Sequence, residues 1–164
     1  MTLPDAEQLT QQLAAAIQPR LRANTVLVGI HTGGAWIAER VRQQLGGKLP
    51  LGTLDISFYR DDFSRIGLHP QVTPSDIPFE IEDAHVILID DVLHTGRTIR
   101  AAMNELYDYG RPAAIELAVL IDRGGRELPI AADMVGARLD LTENQNIQVT
   151  LDPNNKLTLS LHQR

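Results

Sequence analysis

The stretch Val86-Ile87-Leu88-Ile89-Asp90-Asp91-Val92-Leu93-His94-Thr95-Gly96-Arg97-Thr98 decides how this chain is read. Its first four residues are an unbroken apolar run, the pattern of a strand covered on both faces of a parallel sheet, and the run ends in two aspartates. A helix is predicted from about Thr98, stopped by Gly110 and Pro112. Ligands of open α/β sheets sit outside the carboxyl ends of the strands, so residues 90–98 lie where one is expected. Thr95, Gly96, Arg97 and Thr98 bring two hydroxyls, a glycine that permits close backbone approach, a guanidinium and the N–H groups of a starting helix. Those are the parts of a monophosphate cradle. Asp90 and Asp91, acceptors only when ionised, suit the vicinal hydroxyls of a ribose, with Val92, Leu93 and His94 in between. Two other readings fit parts of the stretch. One is a plain strand-to-helix turn with solvated aspartates and a threonine cap. The other is a magnesium site on the acidic pair, as in receiver domains, which leaves the cradle unexplained.

Outward from this stretch, helix and strand alternate. Leu9, Leu13, Ile17 and Leu21 recur every fourth residue and predict an amphipathic helix broken near Pro19. Residues 25–31 form a short β-branched run before Gly33-Gly34, and Ile37, Val41 and Leu45 return to helical spacing up to Gly46-Gly47, which reads strand, glycine turn, helix. Taken alone, that glycine turn is an ordinary connection. Leu54, Ile56 and Phe58 alternate with Asp55, Ser57 and Tyr59 as a strand, opening into polar residues 60–78, a length usual for functional or mobile loops. Residues 115–121 repeat the buried-strand pattern and end in Asp122-Arg123. Ile147, Val149 and Leu151, then Leu157, Leu159 and Leu161, alternate around Asp152-Pro153-Asn154-Asn155 and predict a closing antiparallel hairpin. Buried strands alternating with helices predict an α/β fold with a mainly parallel sheet flanked by helices. The 164 residues, 43% hydrophobic, with no repeat or linker, suit one domain over residues 1–164.

The longest apolar runs fall far short of the roughly 18 residues that cross a bilayer, so no membrane partner is expected. Met1-Thr2-Leu3-Pro4-Asp5 carries neither the basic nor the apolar region of a signal peptide, and a cytoplasmic protein is expected. The absence of cysteine excludes disulfides, thiolate metal sites and thiol nucleophiles. A net charge of −6 weighs against generic polyanion binding.

As a whole, residues 86–98 resemble the 5-phosphoribosyl-1-diphosphate (PRPP) signature of type I phosphoribosyltransferases. Further segments are similar to family members that regulate the pyrimidine (pyr) operon and also make UMP from uracil. These are Leu27-Val28-Gly29-Ile30, Asp55-Ile56-Ser57-Phe58-Tyr59-Arg60-Asp61-Asp62, Gly110-Arg111-Pro112 and Asp122-Arg123-Gly124-Gly125-Arg126-Glu127-Leu128-Pro129-Ile130. The likeness implies that His31, Thr32, Gly33 and Gly34 form a diphosphate loop, whose backbone amides suit that anion. It implies that Tyr59, Arg60, Asp61 and Asp62 begin a flexible loop closing over the site, with Arg60 meeting diphosphate, against the plainer reading of a solvated charge. Asp122, Arg123 and Ile147 then contact the base, where a surface ion pair and core packing are the plain alternatives. His94 is either a proton carrier or a loop histidine without duty. Mg²⁺ enters bound to PRPP, with no dedicated metal site. Relatives form homodimers and homotetramers, so a homo-oligomer is expected, and light scattering that finds only monomer at micromolar concentration contradicts it.

Two departures stand out. Where those regulators carry Lys-Thr-Arg-Gly, this chain has His31-Thr32-Gly33-Gly34, and lost charge there is expected to weaken PRPP binding or slow turnover. Gly124-Gly125 also falls where relatives often place a histidine. Three readings of activity stay open on the sequence. One is a uracil phosphoribosyltransferase that also regulates pyr expression in response to UMP or UTP. The second is a catalytically silent uridine-nucleotide sensor, and the third a transferase for a purine or orotate. Binding of a pyr mRNA leader is disfavoured by the acidic charge, with only Arg20 and Arg22 near the end of the first helix.

Overall fold

A computed structural model of the chain describes residues 1–56 and 74–164. Helix α1, Ala6–Ile17, starts where the Asp5 carboxylate accepts from the Gln8 amide at 3.0 Å, the usual use of a short acidic side chain at an N-cap. Its buried stripe is Ala6, Leu9, Leu13, Ala14 and Ile17. Pro19 then turns the chain into a 3₁₀ turn, Gln18–Arg20, so the four-residue period foreseen through Leu21 stops at Ile17.

Strand β1 (Thr25–Ile30) is buried throughout, and α2 (Gly33–Gln44) packs back on it. Strand β2 is Leu51–Leu54. The alternation expected around Leu54, Ile56 and Phe58 is therefore corrected: β2 lies earlier, in register with β1 through Leu27↔Leu51 and Ile30↔Leu54. After it, the Asp55 amide donates to Ser75 Oγ at 2.9 Å. Residues 57–73, including Phe58, Tyr59, Arg60, Asp61 and Asp62, lie outside the described residues.

Strand β3 (His85–Leu93) runs past Ile89, where the apolar run ends, and carries Asp90 and Asp91 within it. Helix α3 (Arg97–Asp108), β4 (Ala114–Asp122) and β5 (Met134–Arg138) follow. Strands β1 to β5 form a parallel sheet in the order β2-β1-β3-β4-β5. β6 (Gln145–Leu151) and β7 (Leu157–Gln163) pair antiparallel as a separate hairpin.

The period of two decides which layer each sheet residue joins. Leu27, Ile87, Ile89, Ala118 and Leu120 face α1, α2 and the hairpin, whereas Val26, Val28, Val86, Leu88, Leu117 and Val119 face Ile99, Ala102 and Leu106 of α3. Glu7 holds the first layer together, since its Oε1 accepts from Arg40 Nε at 3.0 Å and from the Leu157 amide of β7 at 2.8 Å. The hairpin is thereby set over the carboxyl end of the sheet, in contact with β3.

At the opposite, amino end of the sheet, a polar chain that is buried at Thr25 and His85 links β1, β3 and β4. The carboxylate of Glu116 accepts from Arg20 and, at 2.5 Å, from Nε2 of the fully buried His85, whose Nδ1 lies 2.7 Å from Thr25 Oγ1. Burial pushes the Glu116 pKa up, but His85 and Arg20 outweigh it and hold it below 4.5. This stability is present above the ordinary carboxylate range and is lost as pH falls through the lower folded value. Glu116→Gln is expected to cost about 1 kcal/mol at neutral pH and to converge with the parent protein in acid, as read from urea midpoints at several pH values.

Candidate active site

The carboxyl ends of β3 and β4, the start of α2 and the hairpin enclose a cavity of about 580 Å³. From the 86–98 stretch, Asp90, Asp91, Val92, His94, Thr95, Arg97 and Thr98 line it, and Thr32, Gly33, Arg123 and Ile147 join them. The fold thus gathers residues from four separated segments. His31, Gly34, Leu93, Gly96 and Asp122 are not in the lining. Leu93 is buried below the site, and His31 opens on a neighbouring depression with Trp36 and Arg40.

The acidic pair is held by its own backbone. Asp90, 4% exposed, accepts the Asp91 amide at 2.8 Å, and Asp91 Oδ1 accepts the Val92 amide at 2.7 Å. The start of α2 presses against them. A Cβ at Gly33 would collide with Asp91 Oδ2, and one at Gly34 would come 2.5 Å from the Ile89 carbonyl oxygen. Gly34 is therefore required by contact between helix and strand, whereas Gly33 leaves room for the Asp91 side chain. The His31–Thr32 peptide between β1 and this helix is cis.

Gly96 precedes α3 with φ +94°, a conformation glycine adopts without a Cβ penalty. Thr95 Oγ1 accepts the Arg97 amide at 3.2 Å, and Arg97 Nε donates to Glu127 Oε1 at 3.1 Å, both side chains being exposed. The turn is fastened to the loop after β4, because the Thr95 carbonyl accepts from the Glu127 and Leu128 amides at 2.9 and 3.2 Å.

Asp122, placed with the base contacts by resemblance, does structural work. Its Oδ2 accepts from Arg126 at 2.7 Å and from Arg138 at 2.9 Å, and its Oδ1 accepts the Gly124 amide at 3.0 Å. Burial raises its pKa, but Arg126 and the Gly124 amide more than offset that, leaving it below 3.8. Arg126 in turn donates to the carbonyls of His94 at 3.0 Å and Ile130 at 2.8 Å, a positioning role the sequence did not suggest. His94 Nδ1 lies 2.8 Å from the Gly124 carbonyl, and its ring fills the space beside Gly125, where a Cβ would come within 2.6 Å of Cε1. Where relatives often have a histidine in this loop, the imidazole here arrives from position 94.

Arg123 is 7% exposed. Its Nη2 donates to the Thr142 carbonyl at 3.3 Å, and its buried Nε has no partner among the described residues. Burial, then the neighbouring Arg164, lowers its pKa. Trp36, Asn146, Gln148, Val149 and Arg164 also line the cavity and were not foreseen. Trp36 sits three residues after Gly33, one turn along α2, a spacing that could have flagged it.

The cavity therefore offers an anion cradle at the start of α3, carboxylates in the middle, and a partly apolar, cationic end under the hairpin. Among the described residues, no cluster of three His, Asp or Glu side chains is arranged to hold a metal, and no helix is long and apolar enough to cross a membrane.

The phosphoribosyl transferase domain model matches residues 3–154. Among curated relatives named bifunctional protein PyrR, that of Nitrosococcus oceani is 53% identical over 88% of this chain and 85% of its own length. That of Pseudomonas entomophila is 51% identical over 92% and 90%. Among solved structures, a hypoxanthine phosphoribosyltransferase from Staphylococcus aureus superposes with TM-score 0.66 at 24% identity, covering 86% of this chain and 76% of that one. A hypoxanthine-guanine phosphoribosyltransferase from Bacillus anthracis gives 0.66 at 19%, covering 82% and 79%. These two speak for the fold alone, which is that of the type I phosphoribosyltransferases. With a domain match across most of its length and relatives half identical to it, this chain belongs to the phosphoribosyltransferase family, in the group named bifunctional protein PyrR.

Proposed function

We propose that the protein transfers the phosphoribosyl group of PRPP to uracil, giving UMP and diphosphate, and regulates pyr gene expression in response to uridine nucleotides. The observation that carries the transfer reading is the convergence of most of residues 90–98, Thr32-Gly33 and Arg123 on one cavity. The word bifunctional in the relatives' name favours an active enzyme over a silent sensor. In this reading the 5′-phosphate rests on Thr95, Arg97, Thr98 and the first amides of α3, and Asp90 and Asp91 accept from the ribose 2′- and 3′-hydroxyls. The diphosphate lies over Thr32-Gly33 and meets Arg60. The base packs on Ile147, and a ring carbonyl satisfies the buried N–H donors of Arg123.

PRPP would carry its Mg²⁺ into this cavity. The ion prefers substrate phosphates, water and one or two carboxylates, and the hard oxygens of Asp90 and Asp91 on this cavity fit such a complex. When bound it neutralises charge on the leaving diphosphate. The protein's own contribution is to align the base with C1′ and to surround the sugar with fixed dipoles as positive charge develops on it. Regulation implies a pyr mRNA partner, and the net charge of −6 requires that any such contact be a local basic surface. A single domain over residues 1–164, working as a homodimer or homotetramer, completes the reading.

The test is nucleotide formation from Mg²⁺–PRPP with uracil, orotate, hypoxanthine or guanine in turn. UMP from uracil alone is expected, and Arg97→Ala should raise the KM for PRPP about tenfold, the usual loss for a charged hydrogen bond. A purine nucleotide as the main product would move the chain to another branch of the family.

A further inference from the structure

We infer that His94 is the catalytic base that takes the N1 proton from the incoming uracil, through Nε2, the ring nitrogen left without a partner by the contact of Nδ1 with the Gly124 carbonyl among the described residues. The inference rests on the uracil transfer proposed above and assigns a proton acceptor to it. The Gly124 carbonyl, 2.8 Å from Nδ1, can only accept a hydrogen bond. The proton of the neutral ring therefore sits on Nδ1, and Nε2 presents a lone pair. Nδ1 makes the one hydrogen bond of this ring among the described residues, and the residue lines the cavity.

The ring's position is set from several sides. Gly124 and Gly125 have φ of +72° and +81°, and any Cβ at Gly125 would come 2.6 Å from Cε1 and 2.8 Å from Nδ1. The backbone of His94 is fixed as well, because its carbonyl accepts from Arg126, which Asp122 anchors. A histidine serving only to fill space does not require a glycine opposite it and an arginine strut behind it. The charged groups sharing the cavity are Asp90, Asp91, Arg97, Arg123 and Arg164. Of these the two carboxylates are the other acceptors, and each already takes a backbone N–H.

The step balances. As uracil N1 forms its bond to C1′, the bond from C1′ to the diphosphate oxygen breaks and its electron pair leaves with diphosphate. The N1 proton passes to Nε2, and the resulting imidazolium keeps Nδ1–H on the Gly124 carbonyl. Asp90 and Asp91 offset its charge until the proton is released to solvent.

The experiment compares uracil with 5-fluorouracil, whose N1–H is more acidic, in single turnovers at saturating Mg²⁺–PRPP. His94→Asn retains an N–H for the Gly124 carbonyl and lacks Nε2. With uracil the rate is expected to fall about 100-fold, and with 5-fluorouracil less than about tenfold, because a better acid needs the base less. UMP affinity should stay within about threefold of the parent protein, since ground-state binding does not use this proton transfer. Equal losses with the two bases, or a loss with uracil under about fivefold, would overturn the assignment. His94→Gln carries the same expectations and serves if the asparagine variant does not fold. A parent protein that makes no UMP overturns the transferase reading itself, whereas an active parent with uniform losses in the variants removes only the role of His94.

Discussion

Replacing Asp122 with alanine is expected to lower stability by about 3 kcal/mol, the cost of breaking a buried ion pair from one side, and to take activity with it although this side chain does not line the cavity. The Asp122 side chain is 6% exposed and that of Arg126 25%, while Arg138 reaches out to 71%. Removing the carboxylate strands a half-buried guanidinium, frees the Gly124 amide and loosens the strut that holds the His94 and Ile130 carbonyls. Urea unfolding reads the first effect, and kcat/KM with PRPP reads the second. The sign with pH follows from the depressed pKa of Asp122. Its contribution is complete above the ordinary carboxylate value of 3.8 and declines as pH falls through the lower value of the folded state. The gap between parent and Asp122→Ala should therefore be flat near neutrality and close in acid. A gap that stays constant down to about pH 2 contradicts the ion-pair account.

The parallel sheet was legible because its central strands are buried on both faces, which leaves runs such as residues 86–89 and 117–121 with no polar interruption. Edge strands lack that signature. In β5 the run Met134-Val135-Gly136-Ala137-Arg138 is short, and its central glycine reads as a breaker. Yet a Cβ on Gly136 would come 2.5 Å from the Leu120 carbonyl, so the glycine is what lets β5 approach β4. In β2 the displacement has a similar cause. Gly52 breaks any apolar run there, and in the fold its bare backbone accommodates Ile77 and Phe79.

The site was legible where one segment carries several of its parts. The stretch 90–98 contributes phosphate-type donors and acidic acceptors from consecutive residues, and most of it lines the cavity. Residues of the hairpin, Asn146, Gln148 and Val149, line the same cavity because Glu7 and the packing of Ile147, Val149 and Leu157 hold the hairpin against α1, α2 and the sheet. A contact spanning 150 positions leaves no local mark. The roles within Asp122-Arg123 likewise depend on which partner each side chain meets. Asp122 turns to Arg126 and Arg138 and Arg123 turns to the cavity, although the two are adjacent at the end of β4.

Gly33→Ala is expected to lower kcat/KM for PRPP about 100-fold, the scale of a displacement of about 1 Å in a catalytic geometry, while leaving the melting temperature nearly unchanged. A methyl group there would overlap Asp91 Oδ2 and approach Asp91 Cγ to 2.9 Å and Cβ to 3.0 Å. Asp91 cannot swing aside without giving up the 2.7 Å bond from the Val92 amide, so the strain falls on the carboxylate proposed to hold the ribose. The fold is spared, since Gly33 begins a helix and the methyl meets no other core atom closer than these. Gly33→Arg separates charge from space. An arginine restores the cation found at this point in the better-known regulators, but it brings the same Cβ into Asp91. If the position of Asp91 governs turnover, Gly33→Arg falls with Gly33→Ala. If the missing cation governs it, the arginine variant exceeds the parent protein. Steady-state kinetics with PRPP as the varied substrate decides between them, and a Gly33→Ala variant with parental kcat/KM would show that Asp91 does not hold the sugar.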